Sequence, residues 1–324
     1  MEEIGLVSIV VASYNHEKYI VNCLESIKAQ TYSNLELLIA DDNSGDKTYE
    51  LAKKWCEENS KRFVECKIIK NVKNIGITKN FNQLIVQAKG KYIKVMASDD
   101  MLFPCFIEKT CEIMKEENYD IVMTNGIRID DKGCYPIDSR YFNRLLYRSN
   151  PFKEGRIYER LLNGNIIAAP AVLFDKKTFE KYGLFDESYK FEDWEYWLRI
   201  ASQKGKFGYI DIKGVAYRVL NNSASHYEDS EQEKNRYTEF FNEANRMLIK
   251  YNNNKINLDN FYSETLRKCF RQNNKELIKV IHDNYEFELS NKGKFELMLY
   301  KLGVFKIYLP IKDYLERIKD DRHI

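Results

Sequence analysis

Two pairs of adjacent carboxylates, Asp41-Asp42 and Asp99-Asp100, each follow a short apolar run. Both pairs offer the same two kinds of chemistry. A carboxylate accepts hydrogen bonds from a uracil-type ring N–H or from ribose hydroxyls, and its oxygens are hard ligands for a divalent cation held against a diphosphate. No G-x-G-x-x-G follows the first apolar run and no P-loop is present, so the chain lacks the backbone cradles that hold phosphate without a metal. A phosphate ligand would then need a cation, which makes a metal-bridged nucleoside diphosphate the natural candidate. Asp is also a favoured helix N-cap and Asp100 stands shortly before Pro104, so capping stays open for either pair taken alone. Two pairs, each behind a buried strand, favour a binding site.

A further acidic group lies in Phe191-Glu192-Asp193-Trp194-Glu195-Tyr196-Trp197, among large rings. Aromatic faces exclude water and raise a carboxylate's pKa, which suits a general base that takes a proton from a hydroxyl. Asp193 is equally at home as a first-turn residue favoured by the helix dipole. Farther on, Tyr217-Arg218 and Asn222-Ser223-Ala224-Ser225-His226 gather a cation, hydroxyls and an imidazole, the groups that diphosphate contacts use. A solvated linker has the same composition, and His226 has an ordinary surface role as the alternative to ligating a metal.

These residues need elements that bring them together. Leu6 to Ala12 (LVSIVVA) and Leu35 to Ala40 (LELLIA) read as buried strands, with Val64 to Lys70 (VECKIIK) and Tyr92 to Ala97 (YIKVMA) as a third and a fourth strand. Between them, Tyr19, Ile20, Cys23, Leu24 and Ile27 recur at helical spacing, residues 48 to 58 read as the next helix, and a third runs through Phe81, Leu84, Ile85 and Ala88, with Gly90 as its C-terminal stop. Alternation of this kind predicts βαβ units in an α/β, doubly wound, mostly parallel sheet with helices on both faces, where ligands bind beyond the C-terminal strand ends. Pro104 to Glu117 and Phe191 to Gln203 are predicted helices, Ile121 to Thr124 and Ala168 to Phe174 predicted strands, and 130 to 156 loop-like. From Asp229 the chain turns Asn- and Lys-rich with a helical pattern. The expected organisation is a donor-binding half over 1–110, an acceptor-binding and catalytic half of the same domain over 111–228, and a helical extension over 229–324.

Composition sets bounds on this reading. With 51 Lys+Arg against 49 Asp+Glu in 324 residues, charge gives no reason to expect a nucleic acid partner. The 23 Tyr and 18 Phe suit sugar-stacking platforms as well as cores. Seven cysteines without a C-x-x-C pair disfavour a disulfide framework or structural zinc and fit a cytoplasmic setting. Met1 to Leu6 lacks the features of a signal peptide, and no apolar run approaches the ~20 residues that span a bilayer. Phe295 to Ile318, with Lys301, Lys306 and Lys312, is a candidate for peripheral membrane contact, with packing onto the main domain as its alternative.

Taken in order, Val7-Ser8-Ile9-Val10-Val11-Ala12-Ser13-Tyr14-Asn15, Gln30-Thr31-Tyr32, Leu38-Ile39-Ala40-Asp41-Asp42-Asn43-Ser44, Ser98-Asp99-Asp100 and Glu192-Asp193 closely resemble glycosyltransferase family 2 over about the first 225 residues. Asn74-Ile75-Gly76 through Asn80 and Asn82 resembles the family's segment beneath the nucleotide. The resemblance implies a Rossmann-like GT-A fold and an inverting transfer from a nucleotide sugar, a UDP-sugar being favoured, to a glycan or lipid-linked glycan. Such an enzyme would build bacterial surface polysaccharide in the cytoplasm, at the inner face of the plasma membrane. It implies that the backbone near Ala12 and Tyr14 and the side chain of Asp42 hold the base, that Asp99 binds ribose, that Asp100 coordinates Mn²⁺ or Mg²⁺, and that Asp193 is the catalytic base. Arg218, Ser223, Ser225 and His226 fall in the region that closes over the diphosphate. A catalytically silent nucleotide-sugar-binding scaffold is the alternative, opposed by the intact carboxylates. A nucleotidyltransferase would instead begin with a glycine-rich, Arg-containing loop where Ala12-Ser13-Tyr14-Asn15 stands.

Overall fold

The computed structural model describes residues 5–134, 156–220, 230–252, 259–272, 274–284 and 291–302. Strand β1 (Val7–Ser13) is buried along its whole length, as a β-branched run is when both faces of its sheet are covered. Val7, Ile9 and Val11 pack with Leu35, Leu37 and Ile39 of β2 (Leu35–Asp41) in a cluster that takes in helices α1 (Ile20–Lys28), α2 (Thr48–Asn59) and α4 (Phe106–Glu117). Val10, Leu38 and Ala40 alternate with them and are as buried, but lie outside that cluster. So do Phe81, Leu84 and Ile85 of α3 (Ile77–Gln87), whose Asn80 Nδ2 donates to the Ala40 carbonyl at 2.9 Å. The period-2 alternation of the strands thus supplies two helix-covered faces.

The register decides where the acidic pairs go. β1 runs parallel to β2, with Ser13 opposite Asp41, and parallel to β4 (Tyr92–Ala97), with Ala12 opposite Ala97. All three strands therefore end at one rim. One further rung lies beyond each pairing: Asp42 N donates to the Ser13 carbonyl at 2.8 Å, and Ser98 N to the Ala12 carbonyl at 3.1 Å. Asp42 and the Ser98-Asp99-Asp100 turn are fixed on opposite sides of the C-terminal end of β1.

The eight-stranded sheet has the order β3-β2-β1-β4-β7-β6-β8-β5. β3 (Glu65–Lys70) is parallel to β2, and β8 (Phe207–Arg218) is parallel to β6 (Ile121–Ile129). β7 (Val172–Asp175) runs antiparallel to both β4 and β6, and β5 (Met101–Leu102) antiparallel to β8. The expected mostly parallel, helix-covered sheet is present, with two reversed strands in it. The predicted strand over Ala168 to Phe174 starts late, because Ala169–Ala171 form a 3₁₀ turn around Pro170, whose missing N–H cannot join a ladder. β8 is not apparent in the sequence, since Gly208, Asp211, Lys213 and Gly214 interrupt its apolar pattern. Gly214 answers a close approach: a Cβ there would lie 2.1 Å from Thr124 Oγ1. Gly90 is not a helix stop either. α3 ends at Gln87, and a Cβ at Gly90 would lie 2.5 Å from the Ser8 amide nitrogen.

Helices α5 (Ile157–Leu162) and α6 (Lys176–Tyr182) lead to α7 (Glu192–Ser202). α7 buries Trp194, Tyr196 and Trp197: Trp197 stacks on Phe174 at 5.6 Å, and Trp194 Nε1 donates to the Leu161 carbonyl at 2.8 Å. Most of the aromatic surplus in this part of the chain is therefore core.

The chain divides into two compact units, residues 1–161 with 165–226, and 162–164 with 227–324. In the second unit α8 (Ser230–Tyr251), α9 (Asp259–Gln272), α10 (Lys275–Asn284) and α11 (Asn291–Lys301) supply a core with Phe241 stacked on Phe261 at 5.9 Å, and Tyr262 Oη donating to Asn245 Oδ1 at 2.9 Å. Asn274 caps α10, its Oδ1 accepting from Leu277 N at 3.1 Å. The seven cysteines are free. Among the described residues no helix is long and apolar enough to cross a membrane. Of the segment expected to touch a membrane surface, residues 303–318 lie outside the described residues, and Phe295 and Met298 of α11 are exposed.

Candidate active site

Each member of the first acidic pair has a distinct task. Asp41 closes a turn, Oδ2 accepting from Ser44 N at 2.9 Å and Oδ1 from Ser44 Oγ at 2.6 Å. The Ser44 hydroxyl accepts from Asn15 N at 2.9 Å, and Asn15 Oδ1 accepts from Gly45 N at 2.9 Å, so the turns after β1 and β2 are stitched together. Asn15 and Asn43 make this possible by adopting φ of 53° and 61°, the left-handed region that Asn tolerates. Asp42 caps no helix. Its Oδ1 accepts from Asn71 Nδ2 and from Ile75 N, both at 2.9 Å, and its Oδ2 from Gly76 N at 2.8 Å. A carboxylate has about four acceptor positions; three are filled, which leaves one for a ligand N–H. Asn71 is held in turn by Asn80 and Gln83, an amide network that fixes the carboxylate from behind.

In the second pair, Asp100 is buried beside the more accessible Asp99. Asp100 Oδ1 accepts from Arg218 N at 2.9 Å, and its other oxygen has no hydrogen-bond partner among the described residues. Burial first, and then the neighbouring Asp99 charge, pushes the Asp100 carboxyl well above the ordinary range, while the Arg218 N–H, Lys94 and the Arg218 charge pull the other way. A buried carboxylate next to a second carboxylate, with an oxygen unclaimed, suits a hard divalent cation, and this donor chemistry fits Mn²⁺ or Mg²⁺. Among the described residues no three acidic, His or Cys side chains converge as a ligand shell, so an ion here would draw its remaining ligands from phosphate oxygens and water.

Sequence reasoning assigns Arg218 to a diphosphate, and in the structure its guanidinium packs against the acidic turn. Its side chain is 2% exposed. Nε donates to the Asp99 carbonyl at 2.9 Å, Nη1 to the carbonyls of Asp130 and Asp131 at 2.7 and 3.1 Å, and the guanidinium lies 4.7 Å from the Tyr19 ring centroid. Arg218 clasps the acidic turn in place through these bonds. Ser223, Ser225 and His226 lie outside the described residues.

Asp193 sits in the first turn of α7, half-buried. Its Oδ2 accepts from Asn165 Nδ2 at 3.0 Å and its Oδ1 from Trp194 N at 2.6 Å. Burial pushes its carboxyl up, against the lowering effect of those two donors. Glu195 has another role: buried, it pairs with Arg199, which also donates to the carbonyls of Tyr182 and Leu184.

Beside the rim a cleft of about 830 Å³ is lined by Tyr14, His16, Lys18, Tyr19, Asp131 and Leu220, among others. Among the described residues Tyr14 is the one predicted site residue in its lining; it is 46% exposed, whereas Ala12 is buried. Sequence reasoning missed His16, Asn71, Lys94 and Asn165. Lys94 is fully buried on β4, with Nζ donating to the carbonyls of Val95 and Pro170, both at 2.7 Å. Burial lowers its pKa to about 7 against the upward pull of Asp100. For His16, Asn71 and Asn165, the partners of predicted site groups, the only signal would have been spatial. Asn71 lies 29 residues from Asp42 and Asn165 lies 28 from Asp193.

The family model described as Glycosyl transferase family 2 matches residues 8–183, just over half of the chain and both acidic pairs. The chain belongs to this family. This family 2 glycosyltransferase is 30% identical over 317 residues to an uncharacterised glycosyltransferase of Haemophilus influenzae, a match covering 97% of this chain and 89% of that one. It is 28% identical over 217 residues to one from Methanocaldococcus jannaschii, covering 67% and 71%. Among solved structures it resembles the mannosyltransferase PcManGT from Pyrobaculum calidifontis in complex with GDP-Man and Mn²⁺ (TM-score 0.57, 15% identity, 77% of this chain and 65% of that chain). It also resembles residues 1–349 of S. aureus TarS in complex with UDP-GlcNAc (TM-score 0.53, 15% identity, 96% and 91%), and spans 43% of a longer TarS chain. At these identities the likeness establishes the fold, which is GT-A.

Proposed function

We propose that this glycosyltransferase moves a sugar, with inversion, from a nucleoside-diphosphate sugar to an acceptor hydroxyl on a glycan or lipid-linked glycan, in the building of bacterial surface polysaccharide. The observation that carries the reading is the meeting of Asp42 and Asp99-Asp100 at the ends of three parallel strands in a chain of this family. The donor class is supported by the bound UDP-GlcNAc, UDP and GDP-Man of the structural neighbours, with a UDP-sugar favoured. In this reading residues 1–110 bind the donor, 111–228 bind the acceptor and perform the chemistry, and 229–324 are the extension that meets the inner face of the plasma membrane.

The base lies against Tyr14 and the Ala12 backbone, with its ring N–H on the open acceptor position of Asp42. Asp99 takes the ribose hydroxyls. Asp100 would hold Mn²⁺ or Mg²⁺, and the ion, when bound, supplies positive charge for the diphosphate leaving group. Ser223, Ser225 and His226 are the remaining candidates to contact the phosphates, with His226 a candidate metal ligand as well. Asp193, made more basic by burial, takes the proton from the acceptor hydroxyl as its oxygen bonds to the anomeric carbon and the bond to the diphosphate breaks. Attack opposite the leaving group inverts the anomeric centre.

A thermal-shift screen of UDP, GDP, dTDP and CMP with and without Mn²⁺ tests this, because a ligand that binds only the folded state raises its apparent stability. Stabilisation by one nucleotide with Mn²⁺, lost in Asp100→Ala, is expected. No shift with any of them would sink the donor-site reading and favour the silent scaffold.

A further inference from the structure

His16 lies just beyond the motif that ends at Asn15, and both its backbone and its ring are held on the wall of the cleft. Its backbone N–H donates to Thr48 Oγ1 at 2.8 Å, and its carbonyl accepts from Tyr19 N and Ile20 N, both at 2.9 Å. The ring is fixed independently. Nδ1 lies 2.8 Å from Ser98 Oγ and 3.9 Å from Asp99 Oδ1, and the ring meets Tyr19 edge-on at 5.9 Å. Thr48 and Ser98 are themselves fully buried, so the anchors are rigid. The side chain remains 23% exposed and lines the cleft with Tyr14. With Nδ1 committed to Ser98, Nε2 is the ring atom left for a ligand.

Several carboxylates on the same wall already have partners. Asp46 accepts from Thr48 N, Thr48 Oγ1 and Glu17 N; Glu17 accepts from Lys47 N; Asp130 accepts from Lys132 N and Cys134 N. Each accepts from backbone N–H groups, and Asp46 from the Thr48 hydroxyl as well, so none of them needs the imidazole. When Ser98 donates to Nδ1, the ring proton resides on Nε2 and makes it a donor. In that tautomer the Nε2–H, held in a cleft next to Asp99, matches an anionic sugar-phosphate oxygen.

We propose that His16 is a further binding residue of the nucleotide site, its Nε2–H donating to a phosphate oxygen of the bound nucleotide. This rests on the donor-site reading above. The test exploits side-chain shape: the Asn amide nitrogen approximates Nδ1 and the Gln amide nitrogen approximates Nε2. Affinities of UDP and GDP with Mn²⁺, and of uridine and guanosine, are measured by calorimetry or NMR titration for the full chain and for His16→Asn and His16→Gln.

The expected result is a loss of diphosphate affinity of roughly tenfold in His16→Asn, the scale of one hydrogen bond to a charged group. His16→Gln should keep most of the affinity, and neither variant should alter nucleoside binding. Diphosphate binding unchanged in both variants, a loss equal in both or larger in His16→Gln, or a parallel loss of nucleoside affinity would each overturn the assignment while leaving the donor site standing. A wild-type chain that binds none of UDP, GDP, dTDP and CMP would overturn the donor-site reading and this inference with it.

Discussion

Proton transfer is decided at the scale of single residues. Asp193 is expected to work because burial raises its proton affinity while Asn165 and the Trp194 N–H keep the carboxylate aimed and ionised. Asp193→Asn should lower kcat by roughly 10²- to 10⁴-fold, the usual contribution of a general base, with the donor KM little changed, as steady-state kinetics can check. Asn165→Ala removes a contact that lowers the Asp193 pKa, so that pKa should rise. Since the base must be ionised, activity is lost as pH falls through that value, and the acid limb of the kcat/KM profile should move to higher pH in the variant. An unchanged limb would remove Asn165 from the account.

Strand packing governs the next scale, where β4 carries two testable features. Lys94, buried on this strand, has its pKa depressed to about 7 from 10.5. Between those values the unfolded chain binds more protons than the folded one, so this group makes stability rise with pH across that window. Denaturant unfolding at pH 7 and pH 9.5 should show the wild type gaining on Lys94→Met as pH rises. No difference between the two pH values would mean that Lys94 stays charged in the folded chain throughout. Just before β4, a Cβ at Gly90 would lie 2.5 Å from Ser8 N, too close for any side chain. Gly90→Ala should destabilise by about 1–3 kcal/mol, the cost typical of overpacking, measured as a lower denaturation midpoint.

On the whole-molecule scale, every described residue in the proposed nucleotide site lies within the unit formed by residues 1–161 and 165–226. Units of this kind can in principle fold alone, so a chain ending at residue 226 should bind UDP or GDP with Mn²⁺ to within about threefold of the full chain. A folded fragment that binds neither would show that the helical unit completes the site.

The sequence by itself determined the first half of the sheet, because a β-branched run buried on both faces has few alternatives and its following acidic pair inherits the strand's end. It likewise marked Asp42, Asp99-Asp100 and Asp193 as the residues to watch, since their types and order are local facts. Tertiary structure alone decided what partners each one. β8 escaped notice because its charged and glycine positions are explained only by β6, and Gly214 only by Thr124. The guanidinium of Arg218 is engaged by carbonyls of Asp99, Asp130 and Asp131, contacts between positions 87 to 119 residues apart. His16, Asn71 and Asn165 take their roles from register and packing as well. Periodicity reports which face a side chain is on, whereas hydrogen bonds between distant segments depend on how the strands are ordered, and no local pattern encodes that order.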